Sequence, residues 1–219
     1  MNTDHCPLCM TEKPNFYYQS KRVNLVRNFL QCTNCKLVFV PSDFHLTLPQ
    51  QRDRYLEHNN DPMDSEYRAF LSRLRGPLLP LLKEGDVGLD FGCGPGPALA
   101  QMLRESGYKV DLYDPLFQDN KSVLEKNYDF VTCTETIEHF SNPAFDFALL
   151  GSVVKDGGVL GVMTSILYEE VIFEDWHYKL DPTHVSFYTP LTMEWLSNKF
   201  NWVIKSTHKN VYLFIKQGL

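Results

Sequence analysis

Two hydrophobic rhythms alternate along most of this chain. Short, mostly apolar runs at 87–91 and 128–134 read as buried strands, and 109–114 and 159–164 as further strands. Between them lie stretches with apolar residues three and four apart. One, over 97–106, turns Leu99, Met102 and Leu103 inward and stops at Gly107, and another covers 143–154. Strands alternating with helices predict a mostly parallel sheet. The end of the chain changes pattern: Thr189-Pro190 starts a helix running to residue 200, and 202–206 with 211–216 form a hairpin that adds an antiparallel strand. Upstream, Ser65 reads as the cap of a helix presenting Tyr67, Phe70, Leu71 and Leu74, broken at Gly76-Pro77. Residues 41–64 are polar, punctuated by Pro41, Pro49 and Pro62, and carry one helix around 50–58. Residues 135–140 are expected to turn into a helix, and 165–188 form an irregular insertion rich in aromatic and acidic residues.

Composition agrees with a packed globule: 43% of the 219 residues are apolar and 13% aromatic. Charge is uneven. Residues 1–45 hold five Lys/Arg against three Asp/Glu, whereas the remainder holds sixteen against twenty-four. An acidic main body argues against tight, non-specific nucleic-acid binding, while a folded RNA gripped by the basic end stays open. The first residues show neither a basic n-region nor an apolar h-region, and no run of 18 apolar residues occurs, so a cytoplasmic protein without a membrane span is expected. The cysteines fit that compartment. Cys6-Pro7-Leu8-Cys9 and Cys32-Thr33-Asn34-Cys35 are two knuckles separated by 22 residues, a pattern for one tetrahedral Zn2+ in a closed, structural site. Cys93 and Cys133 read as inert packing. Three parts follow: a zinc-binding unit over 1–45, a linker and helical segment over 46–85, and the α/β domain over 86–219.

The candidate chemistry begins at Asp90-Phe91-Gly92-Cys93-Gly94-Pro95-Gly96-Pro97, a strand–glycine loop–helix cradle. Glycines let a ligand approach the backbone, and the helix start offers free N–H groups. A dinucleotide fingerprint needs a third glycine where Pro97 stands. The stretch instead resembles the D-x-G-C-G-x-G motif of class I S-adenosylmethionine (SAM)-dependent methyltransferases. Asp114, eighteen residues past Gly96, matches that family's ribose-binding acid, and Lys155-Asp156-Gly157-Gly158 resembles its K-P-G-G turn. The resemblance covers 86–216. It implies a Rossmann-like sheet, with Gly92, Gly94 and Gly96 flanking the methionine portion of SAM, Asp90 at its amino group and Asp114 on its ribose. One departure stands out. Only thirteen residues, 115–127, separate two strands where the family fits a further helix and strand, so the adenine contacts are left open, with Asp119-Asn120 as one candidate.

The opposite wall starts at Thr134 and Glu135, which should border the cofactor at a strand's carboxyl end. On a helix, Glu135, Glu138 and His139 share one face. Two carboxylates and an imidazole there suit a divalent cation. The E-x-x-E-H pattern is similar to the metal-binding segment of ubiquinone-pathway catechol O-methyltransferases and of small-RNA 2′-O-methyltransferases, where a downstream histidine completes the site; His184 or His177 would do so here. The same residues can instead merely shape the cofactor pocket. The run His184-Val185-Ser186-Phe187-Tyr188-Thr189-Pro190 resembles H-x-x-F-[FY]-[ST]-P of a methyltransferase branch that often carries an N-terminal C-x2-C pair. His184, with His139, is the candidate base; a histidine bonded only to backbone is its bland counterpart. His177 and Asp181 are weaker candidates, and Tyr55, Tyr67, Trp176 and Tyr178 are candidate pocket walls or plain core.

Together these features predict a SAM-dependent methyltransferase with a structural zinc, acting on oxygen of a small molecule or modified biomolecule. The rival expectation is a zinc-knuckle module that binds protein or RNA on a degenerate SAM-fold scaffold. The absence of an N-P-P-Y tetrad, with Thr134-Glu135-Thr136-Ile137 in its place, disfavours methylation of planar nitrogens.

Overall fold

The computed structural model describes residues 5–21, 26–57 and 61–218. Six strands form the main sheet: β4 (Val87–Phe91), β5 (Lys109–Tyr113), β6 (Tyr128–Thr134), β7 (Val154–Met163), β9 (Trp202–His208) and β10 (Val211–Lys216), in the order β5-β4-β6-β7-β10-β9. The first four are parallel, and β10 runs antiparallel to both β7 and β9. Residues 115–127 contain no strand, only a short 3-10 turn at Lys121–Glu125, so β5 is the edge.

Side-chain alternation along the strands divides the core in two. On one face, Leu89, Val131, Cys133 and Leu160 meet α4 (Pro143–Val153) and α5 (Pro190–Lys199). On the other, Val110, Phe130 and Val159 meet α2 (Ser65–Leu78) and α3 (Ala98–Glu105). Two helix boundaries differ from expectation. The α2 cap is Asp64, whose carboxylate accepts from the Tyr67 N–H at 2.8 Å, not Ser65. Pro77 does not break α2; it sits one residue from the end, where only the Arg73 carbonyl loses its helical donor. The expected helix over 50–58 is α1, Leu48–Leu56, and its expected last residue, His58, lies outside the described residues.

The cysteine-bearing unit is not a free appendage. Its strands β1 (Asn15–Gln19), β2 (Asn28–Gln31) and β3 (Val38–Phe39) form an antiparallel sheet whose fourth strand, β8 (Ser186–Phe187), comes from the insertion. The Ala144 N–H at the start of α4 donates to Pro7 O at 3.2 Å, and Cys6, Leu8, Cys32, Cys35 and Leu37 share one core with Phe147 and Leu150. A third cluster, Phe29, Val38, Val40, Leu167, Phe173, Val185 and Phe187, fastens the insertion to the same unit. Among the described residues no helix is long and apolar enough to cross a membrane.

Candidate active site

A cavity of about 650 Å³ opens at the carboxyl ends of β4, β5 and β6, beneath α1. That is the crevice expected where strand order reverses in an open α/β sheet.

One wall is the glycine loop. The N–H groups of Gly92 and Cys93 donate to Tyr113 O at 2.8 and 3.2 Å, hooking the loop over the end of β5. The Gly94 N–H donates to Asp114 Oδ2 at 3.0 Å. Both glycines are left-handed, with φ of 73° and 64°. A Cβ on Gly92 would lie 2.2 Å from Thr136 Cγ2, whereas one on Gly94 would meet nothing within 4 Å. Asp114 also accepts from the Leu116 and Phe117 N–H groups at 2.8 and 3.1 Å, and an ionised carboxylate retains a further lone pair. Asp90 is buried, accepts from Thr132 Oγ1 at 2.7 Å, and burial pushes its carboxyl up to about 6. Gly96 does not line the cavity; its carbonyl accepts from the Ala98 N–H at 2.7 Å in the turn into α3.

The facing wall is built from Glu138, His139 and His184, each offering one donor atom within 4.8 Å of the others. Glu138 is buried and held by Tyr178 OH at 2.5 Å and Thr164 Oγ1 at 2.9 Å. His139 Nδ1 lies 3.1 Å from Thr183 O, and His184 Nδ1 lies 2.7 Å from Tyr178 O. A carbonyl only accepts, so each Nδ1 carries a hydrogen. The two rings meet edge to face at 4.8 Å. Burial, then the neighbouring His139, pulls His184 down to about 4, so it is neutral at physiological pH.

The expected helix at 135–140 is absent. Glu135 has φ of 46°, its N–H donates to Met163 O at 2.8 Å, and only a 3-10 turn, Ile137–His139, follows. Glu135 therefore stands outside the three-residue cluster; its contact is with Tyr178 OH at 3.4 Å, and burial raises its carboxyl well above the usual range. Thr134 and Glu135 do line the cavity, as do Asp181, Tyr55 and Tyr67; His177, Trp176, Tyr178 and Asp119 do not. Cavity residues outside the sequence reading include Tyr113, Phe140, Phe145 and Asp146, the last pushed up to about 7 by burial. Nothing in the local sequence marks Asp146, which is simply the acid in the first turn of α4.

A second candidate centre lies away from the cavity. The sulfurs of Cys6, Cys9, Cys32 and Cys35 all fall within 4.8 Å of one another, with contacts of 3.5 Å (Cys6–Cys35) and 3.3 Å (Cys9–Cys32). Zinc–sulfur bonds of about 2.3 Å put tetrahedral sulfurs roughly 3.8 Å apart, so the set fits one zinc ion with little adjustment. Hydrogen bonding from Cys35 draws the Cys6 thiol down to about 6.

Comparison with known proteins adds three findings. Residues 63–207 match the family described as "Methyltransferase domain". The ubiquinone biosynthesis O-methyltransferases of Saccharophagus degradans and Photobacterium profundum are 34% and 33% identical over 72 residues. Those alignments span 33% of this chain but only 30% and 31% of the relatives' length. The fold is similar to that of a 1,6-didemethyltoxoflavin-N1-methyltransferase from Burkholderia thailandensis, solved with S-adenosylhomocysteine, at TM-score 0.51 and 13% identity over 86% of this chain and 99% of that one.

Proposed function

This chain belongs to the methyltransferase-domain family, and on that premise we propose that it is a SAM-dependent enzyme that methylates a hydroxyl oxygen of a small molecule or modified biomolecule. The observation that carries the reading is one cavity with two unlike walls, the glycine loop with Asp114 on one side and Glu138, His139 and His184 on the other. The likeness to O-methyltransferases over 72 residues supports oxygen as the acceptor atom.

In this reading Asp90, Gly92, Gly94 and Asp114 hold SAM, with Thr134 and Glu135 beside it. Gly92 and Gly94 provide backbone that a ligand can approach, and the spare lone pair of Asp114 suits the ribose hydroxyls. When bound, SAM supplies an electrophilic methyl group on its sulfonium. The chain's own work is orientation and proton handling. Holding donor and acceptor in line supplies most of the acceleration. The neutral Nε2 of His184 accepts the proton that leaves the hydroxyl, with His139 beside it as the second candidate base. Alternatively, Glu138, His139 and His184 have the composition and spacing to hold a divalent cation through those same Nε2 atoms, and the cation, in place of a histidine base, would lower the pKa of a coordinated hydroxyl. Each Nδ1 donates to a backbone carbonyl, the support that metal-bound imidazoles commonly have. We assign a structural zinc to the four cysteines, and a cytoplasmic location fits their reduced state.

The test is calorimetry of SAM binding followed by transfer of labelled methyl from SAM into a cell extract. Expected results are SAM binding by the wild type, loss of about tenfold or more of that affinity in Asp114→Ala with thermal stability as control, and label on oxygen of a product, small or macromolecular. Label recovered on amines, or affinity unchanged by Asp114→Ala, would count against the assignment.

A further inference from the structure

The acceptor wall depends on backbone that has little regular structure. Residues 165–188 carry Asp181 and His184 yet hold only a 3-10 turn at His177–Leu180 and the two-residue strand β8. Buried carbonyls in such a segment need donors from elsewhere. Two buried cations provide them. Lys179, inside the segment, donates to Glu174 O at 2.6 Å and Trp176 O at 3.2 Å. The other is Arg27, which enters from the cysteine-bearing unit just ahead of β2. Its Nη1 donates to Pro182 O at 3.2 Å and His184 O at 3.0 Å, and its Nη2 donates to Asp181 O at 3.0 Å and to Lys179 O. Its side chain is buried against the Phe29 ring, and burial brings its guanidinium down only to about 10, so it stays charged at neutral pH.

Few side chains can do this. A guanidinium carries its donors in a fixed planar fork, whereas an ammonium is a compact point on a flexible stem. The carbonyls that Arg27 gathers belong to the stretch that shapes the acceptor wall. His184 and Asp181 line the cavity themselves, and the intervening Thr183 gives its carbonyl to His139 Nδ1. The described hydrogen bonds connect Arg27 to this wall and not to the glycine loop or Asp114.

We propose that Arg27 is the positioning residue of the acceptor wall: by clamping the carbonyls of residues 179, 181, 182 and 184 it fixes where His184 and His139 present their Nε2 atoms. Through this clamp the cysteine-bearing unit sets the geometry of chemistry it does not touch. The proposal rests on the reading that the acceptor lies against that wall.

The experiment compares the full-length wild type with Arg27→Ala and Arg27→Lys. Transfer of labelled methyl into cell extract gives a maximal rate and a KM for SAM, and hydrogen–deuterium exchange follows residues 178–186 against 90–96. In Arg27→Ala the maximal rate should fall about tenfold or more while the KM for SAM stays within about twofold. Exchange should rise at 178–186 and stay unchanged at 90–96. Free guanidinium ion should restore both in Arg27→Ala, and Arg27→Lys should recover only part. A folded Arg27→Ala with wild-type rate overturns the proposal. So does equal loosening of both segments with KM for SAM rising in step, the signature of a general brace. If Arg27→Ala does not fold, Arg27→Lys is judged by the same measures. If the wild type transfers no methyl into extract, the acceptor reading fails by itself and exchange decides the clamp: local loosening at 178–186 keeps it, and unchanged exchange overturns it.

Discussion

Asp90 combines two demands that pull in opposite directions. Its carboxyl is buried and titrates at about 6 in the fold, against roughly 3.9 in an unfolded chain. The native state therefore binds the proton more tightly, and the ligand-free fold loses stability as pH rises from about 4 through about 6. Asp90→Asn should raise the stability of the ligand-free protein at pH 7.5, by roughly 3 kcal/mol. It should do little at pH 4 and should weaken SAM binding; urea titrations at the two pH values and calorimetry check all three. The glycines of the loop should separate as well. Gly94→Ala pays only for a left-handed alanine, about 1–2 kcal/mol. Gly92→Ala adds the collision with Thr136 and should cost about 1–3 kcal/mol more by denaturant unfolding. Asp90, the loop and Asp114 were legible in the sequence because their chemistry is set by neighbours within about 25 positions. Glu138, His139 and His184 were legible as residue types, but the loss of Glu135 from their cluster was not: left-handed backbone there takes it out and leaves Glu138 in place. Arg27 and Asp146 left no trace in the sequence, since a clamp on distant carbonyls and a lone acid in a helix's first turn have no pattern.

Among the elements, α1 is held to the rest by its arginines more than by its core. None of its residues is buried. Arg54 donates to Asp181 Oδ2 at 2.9 and 3.1 Å on the acceptor side. Arg52 donates to Leu116 O at 2.5 Å and lies over the Phe117 ring at 4.9 Å, beside the glycine loop. Leu48, Gln51 and Tyr55 of this helix roof the cavity. Partly exposed pairs of this kind contribute about 0–1 kcal/mol, so the double variant Arg52→Ala, Arg54→Ala should stay folded with almost the same melting temperature. SAM dissociation, followed by stopped flow, should quicken several-fold; an unchanged rate would mean that α1 does not gate the cavity. The sheet strands and long helices were legible because their periodicity runs over whole elements. β8 and the turn at 137–139 were not, because elements of two or three residues are too short for a period to appear, and their partners are set by tertiary contact.

At the scale of the whole molecule, the cysteine-bearing unit and the α/β domain share a core, since Cys6, Cys32 and Cys35 pack with Phe147 and Leu150. With zinc on the four cysteines as proposed, its removal by a strong chelator should therefore lower one cooperative transition in scanning calorimetry by at least about 5 °C, corresponding to about 2 kcal/mol. A separate low-temperature transition, or none, would show the unit to be energetically independent. The pairing of Val38 with Phe187 and of Phe39 with Ser186 has a further consequence in time. Chains are synthesised from the amino end at about 5–20 residues per second, so β3 leaves the ribosome roughly seven to thirty seconds before its partner exists. Throughout that interval the edge of β3 that β8 later covers stays open. A translational pause before Phe187 lengthens it, and such an edge is a template for pairing with another nascent chain.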